Sequence, residues 1–257
     1  MFVSRLLSVL SLTLAATFAQ AHEYWISPDQ YQVAPGEAIR ADFRNGQHFE
    51  GIRLAFFSKS TRLFEYISDG VATPITPRPG DSPALQMTAP ETDTLLAIVF
   101  ESAPSIVTYN EFDKFLSFAE HKDFPDAEAD HLAAGWPTDR IRETYTRHAK
   151  ALIAVGDGTG SDAQRGMATE FVALTNPYVD DLSDGMRVKL FYQDEPRADA
   201  QVEVFDRAPD GTVTTTLHRT DGEGIATVPV TAGHEYLFDG VVLRKAENPQ
   251  NDPKLPV

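Results

Sequence analysis

Cysteine is absent from all 257 residues. Disulfides, thiolate nucleophiles, thiolate metal sites and covalent haem attachment are excluded with it, so the chain must be held by ordinary apolar cores. Long hydrophobic runs are also missing, and no stretch reaches the roughly 18 consecutive apolar residues that a membrane span needs. Positive charge is scarce: 22 Lys and Arg stand against 38 Asp and Glu, a net charge of -16. That balance disfavours nucleic acid and anionic membrane surfaces as partners and suits cations. The Gly-x-Ser-x-Gly and His-Glu-x-x-His patterns of common hydrolases and zinc proteases do not occur. The glycine-rich "VGDGTGSD" lacks the Lys-Ser/Thr of a phosphate loop. Read as a calcium loop from Asp157, it has Asp162 where glycine and Ala168 where glutamate are required, so it is a turn.

What is present begins with "MFVSRLLSVLSLTLAATFAQA". Arg5, an apolar run from Leu6 to about Ala16 and the small-x-small sequence Ala19-Gln20-Ala21 have the layout of a secretory signal peptide over residues 1–21. A periplasmic or secreted protein follows, with no membrane span after cleavage. Cutting after Ala21 makes His22 the first residue, whose α-amine and Nδ1 can grip one ion together. A further imidazole would complete a three-nitrogen site suited to Cu(II) and then Ni(II). The amine must shed its proton first, and its reference pKa of roughly 7.7 to 8.0 allows this near neutrality. Cutting after Ala19 instead gives Gln-Ala-His, in which His22 is the third residue of a four-nitrogen amino-terminal motif. The alternative is that the signal peptide ends before an unimportant histidine.

From Glu23 to about Val107, short runs such as "IRLAFF", "RLFEYI" and "TLLAIVF" alternate with turn signals such as "APGE" and "RPGD", the pattern of an antiparallel sandwich. The middle differs. Phe112, Phe115, Leu116 and Ala119 have amphipathic helical spacing, with Asn110 as the expected N-cap and an end before Pro125. An acidic stretch follows, and then "RIRETYTRHAKALIAVG", whose composition is compatible with helix and with strand. "EFVAL" reads as a strand returning to the first sandwich, and "NPYVDDLSDG" as a linker. Beyond it, "VKLFY", "QVEVF", "TVTTTL" and "IATVPV" alternate between tight turns. The expected fold is all-β: two immunoglobulin- or transthyretin-like sandwiches over 22–180 and 185–245, a helical and acidic-loop insertion at about 110–152 in the first, and a polar tail over 246–257.

A chelating His22 needs a partner, and the chain offers six other histidines. His48 in "NGQHFEG" comes first, because it lies in a turn-like segment of the same sandwich and loops at one end of a sandwich converge. A solvent-exposed loop histidine is the competing reading. His121 and His131 in "EHKDFPDAEADH" could join carboxylates around Zn, Ni or Co, but a solvated acidic loop is the simpler expectation. His148, two residues from Lys150, and His218 and His234 are assigned to structure. Trp25 is expected in the core, with Tyr24 left open.

Taken together, "AHEYWISP", "NGQHFEG", "YTRHAKALIAVG", "EFVALTNPY", "VKLFYQDEPRADAQVEVF", "TDGEGIATVPV" and "YLFDGVVLR" resemble a domain-of-unknown-function family often labelled as a periplasmic component of an ABC-type cobalt transport system, related to nickel-uptake components. The resemblance implies a periplasmic β-sandwich protein that handles a metal. The family pattern has an aromatic at the place of His148, so that residue is not carried over as a ligand. It also continues past "VVLR" into a further aromatic-rich strand, so a chain shortened at Val257 is expected. The expectation is an exported binding protein for a divalent transition metal (Cu, Ni or Co) with ligands His22 and His48 and a metal-uptake transporter as partner. A copper-dependent oxidative enzyme with a histidine brace, and a non-metal adhesion or carbohydrate-binding module, are the alternatives.

Overall fold

The computed structural model describes residues 22–246. The expected signal peptide over 1–21 and nearly all of the polar tail lie outside the described residues. Among the described residues, no helix is long and apolar enough to cross a membrane.

The described residues are mostly β, with two short helices. Strands β1 (Glu23–Pro28), β2 (Gln32–Val33), β3 (Ala38–Gln47), β4 (Glu50–Leu54), β5 (Thr61–Ser68), β6 (Val71–Pro74), β7 (Leu85–Thr88) and β8 (Thr94–Ser102) come first. An excursion follows: β9 (Ser105–Glu111), helix α1 (Phe112–His121), helix α2 (Ala127–Ala133) and β10 (Asp139–Tyr145). The chain returns as β11 (His148–Val155) and β12 (Thr169–Ala173). It ends with β13 (Met186–Tyr192), β14 (Glu195–Pro196), β15 (Gln201–Arg207), β16 (Val213–Arg219), β17 (Ile225–Val228) and β18 (Glu235–Asp239).

One sheet has β3 at its centre, with β1 on one side and β4 and β7 on the other. It faces a sheet of order β2-β11-β8-β5-β6. Alternation fills the space between them: Ile39, Ala41, Phe43 and Leu85 from the first sheet meet Phe64, Leu96, Ile98, Phe100 and Ile153 from the second. A second pair of sheets, β12-β13-β14 with β17 on β13 and β16-β15-β18, closes over Val188, Val202, Val204, Ala226 and Val228.

Four local expectations are corrected. The strand "EFVAL" does not return to the first sandwich. As β12 it pairs with β13 from Thr169↔Tyr192 to Ala173↔Val188, and Phe171 and Ala173 pack on the second core. The insertion runs from 105 to 145 instead of about 110–152, because "RIRETYTRHAKALIAVG" is two strands: β10 pairs with β9, and β11 with β8. Asn110 is not the N-cap of α1. The β9–β10 ladder runs on to Glu111↔Asp139 and keeps the backbone extended one residue further. The acidic stretch is also not a loop throughout, since Ala127–Ala133 is helical.

A small cluster joins the two sandwiches. Trp25 on β1, Phe49 in the β3–β4 turn and Phe205 on β15 are buried together, with Val213 and Leu237 against them. Tyr31 adds a hydrogen bond to Glu235 at 2.6 Å. Phe205 is only 2 % exposed, so Phe205→Ala is expected to lower the unfolding free energy in urea by about 3–5 kcal/mol. A loss below about 1 kcal/mol would mean that the junction is not packed.

Candidate functional site

"NGQHFEG" folds as a two-residue hairpin. Gln47 pairs with Glu50, and His48 and Phe49 between them both take positive φ, 50° and 61°. That is the twist a two-residue hairpin needs, although Asn-Gly is its usual sequence. Gly46 faces Gly51 across the hairpin, and a Cβ on Gly46 would lie 2.0 Å from the Glu50 carbonyl oxygen, so the crossing tolerates only glycine there. Left-handed backbone costs a side-chain-bearing residue about 1–2 kcal/mol. Phe49 offsets this by burial against Trp25 and Phe205, with the Arg207 guanidinium 4.5 Å from its ring centre. His48 is left outside, its ring 5.7 Å from that of Phe205.

The β1–β3 register brings His22 to the same place. Glu23 pairs with Gly46, so His22 comes level with Gln47, one residue from His48, on a neighbouring strand about 5 Å away. Both histidines are exposed and line one cleft of about 760 Å³, with Asn45, Gln47 and Glu50 from the hairpin and Gly211 and Val213 from the other sandwich. The structure therefore brings together the two histidines singled out in the sequence. It does not bring the rest. His131 is buried in a box of Phe112, Phe115 and Trp136 and donates from Nε2 to the Pro137 carbonyl at 2.8 Å. His148 lies beside Glu101, with burial holding its pKa below the ordinary histidine value. His218 and His234 bond to Thr216 and Asp206. His121 lies 3.3 Å from Glu203.

Behind His22 lies a buried cation cage that sequence reasoning missed. The Lys122 ammonium, at the C-terminal end of α1, is 2.6 Å from Glu203, 2.8 Å from Asp239 and 3.8 Å from Glu23. One carboxylate oxygen from each of these three acids lies within 4.8 Å of the others, a spacing able to hold a metal ion. Here the ammonium fills it. Burial works against the charged lysine, but Asp239 and Glu203 outweigh it and hold its pKa above the usual value. Three carboxylates around one ammonium remain short of positive charge. Burial pushes the Glu23 carboxyl up to about 7, with Asp239 and Glu203 adding to the rise and Lys122 opposing it. Its Oε2 is buried without a hydrogen-bond partner. The available signal was the period of β1: Glu23 shares the inward face of Trp25, where a carboxylate needs a buried counter-charge.

A second, larger space of about 1900 Å³ opens between the 105–145 excursion and the sandwiches. Tyr24, stacked on Phe100 at 5.1 Å, lines it, as do Tyr109, Phe115, Phe118, Trp136 and Arg147. His22 and Asn45 belong to the walls of both spaces.

The family described as Domain of unknown function (DUF4198) matches residues 19–242. The chain belongs to that family. No curated protein matches it. The match takes in both sandwiches, the excursion and every residue of the His22–His48 cleft and the Lys122 cage, so these features lie within the family domain.

The cage makes a stability prediction. Glu23 has a raised pKa in the folded protein, so the native state holds its proton more tightly than the unfolded chain. Its contribution is fully present below about pH 4.5 and is lost as pH rises through about 7. Glu23→Gln, which removes the titration, should raise the melting temperature relative to the parent at pH 8 and change it less at pH 5. An equal shift at both values would show that ionisation of Glu23 is not what burdens the fold.

Proposed function

We propose that this protein is an exported binding protein that captures a divalent transition metal, Ni, Co or Cu, through His22 and His48 for uptake or handling, with a metal-uptake transporter as the receiving partner. The observation that carries the reading is that these two exposed histidines, 22 and 48, share one cleft. Two imidazoles, with amide and carboxylate oxygens of Asn45, Gln47 and Glu50 nearby, are a donor set suited to these ions. With the peptidase cut after Ala21, the free amine adds a third nitrogen on the same residue. The excess of carboxylates over cations in the cage behind Glu23 favours a positive ion at His22. The metal is cargo in this reading; the chain supplies nitrogen ligands and a negative surround.

The turn supplies a test that separates binding from folding. Asparagine suits the left-handed first position of such a turn better than histidine. His48→Asn is therefore expected to leave urea stability unchanged or slightly raised, and to weaken Ni(II) or Cu(II) binding in calorimetry by at least roughly tenfold, about 1.4 kcal/mol. His22→Ala, or one extra residue before His22, should do the same. Binding to the correctly processed chain should also strengthen from pH 6 to pH 8 as the amine sheds its proton. Parent affinity in the His22→Ala and His48→Asn proteins would contradict the proposal.

A further inference from the structure

The larger cavity meets the His22–His48 cleft at His22 and Asn45. Its volume exceeds the roughly 300–1,000 Å³ of an ordinary small-molecule site, so it holds an organic ligand with room to spare. Its charge departs from that of the molecule. Over the whole chain acids outnumber Lys and Arg 38 to 22, whereas along this wall Lys and Arg slightly outnumber Asp and Glu. Some of those cations are engaged: Lys122 in its cage, Lys114 with Glu111 and Lys245 with Asp130. Arg140, Arg142 and Arg147 form no ion pair among the described residues, and of these three Arg147 alone is half-buried. Its guanidinium lies 4.9 Å from the centre of the Tyr145 ring. It shares the cavity wall with Tyr24, Tyr109 and Glu143, and its charge acts on all three. Glu143 is already engaged by the Tyr109 hydroxyl, which donates to it at 3.0 Å. A half-buried arginine beside a phenol ring, whose acidic neighbour Glu143 already accepts from Tyr109, is suited to bidentate recognition of a ligand carboxylate.

Tyr24 links this arginine to the metal-binding end. It lies two residues from His22 along β1, about 7 Å for extended backbone, and it lines the same cavity. An ion held by one or two histidines keeps coordination positions open, and His22 lines the cavity. We propose that the metal is taken as a complex with a small organic polycarboxylate: the ion meets His22, and a carboxylate of the chelator meets Arg147 in the larger cavity. This rests on the metal-capture reading above and names the form in which the cargo arrives. Arg147 positions the chelator, and His22 contacts the ion.

The test uses the mature chain from His22 onward, with Ni(II), citrate and the equimolar Ni(II)–citrate complex as calorimetric probes. Arg147→Ala is expected to weaken Ni(II)–citrate binding at least tenfold and to leave Ni(II) alone within twofold of the parent. Arg147→Lys, which retains the charge without the fork, should fall between them and guards against a folding defect in the alanine variant. Equal Ni(II)–citrate affinity in the parent and both variants overturns the proposal. So does an equal loss for Ni(II) alone and for the complex, which would make Arg147 a support of the fold or of the ion site. The underlying reading is checked separately in His22→Ala. If that protein binds Ni(II) like the parent, metal capture at His22 fails, and Arg147-dependent binding of citrate alone still reports whether the carboxylate seat exists.

Discussion

The Lys122 ammonium ties together segments that are far apart in sequence. It sits at the end of α1 and reaches Glu23 at the start of the first sandwich and Glu203 and Asp239 on neighbouring strands of the second. An unpaired charge at that depth would cost several kcal/mol, and each partner's position therefore depends on the others. The end of α1 follows the lysine: Arg219 pairs with Asp123, and Gln201 donates to the His121 carbonyl. The same contact fixes the first residues of β1, and with them the place of His22.

The β3–β4 turn is the complementary device. Its left-handed backbone is unfavourable for histidine and phenylalanine, yet burying Phe49 in the junction between sandwiches fastens the turn and leaves His48 facing outward. A residue retained at some conformational cost on a surface turn, beside a second exposed histidine, is what a binding role would require. Both devices lie where the two sandwiches meet, so cleft, cage and larger cavity share walls instead of forming separate sites.

Much of the strand pattern was legible because alternation is local: "TLLAIVF", "VKLFY" and "QVEVF" became β8, β13 and β15. The helix at Phe112 was legible for the same reason, from its 3.6-residue period. The allegiance of β12 was not, since pairing is decided by partners such as Lys189 and Leu190 and not by the strand's own composition. That His22 and His48 line one cleft has a local trace, because one stands at the start of β1 and the other lies in a turn of the same sandwich. The cage could not, because its members come from positions 23, 122, 203 and 239 and only the fold brings them together. An inward glutamate at position 23 was its one local trace.

The most direct measurement of the central claim is the native mass of the protein recovered from the cell exterior or periplasm. The expected result is a chain whose first residue is His22, carrying one equivalent of a divalent transition metal that is released on acidification. A chain that starts at neither His22 nor Gln20, or a correctly processed one that takes up no such ion when it is supplied, would contradict metal capture at His22.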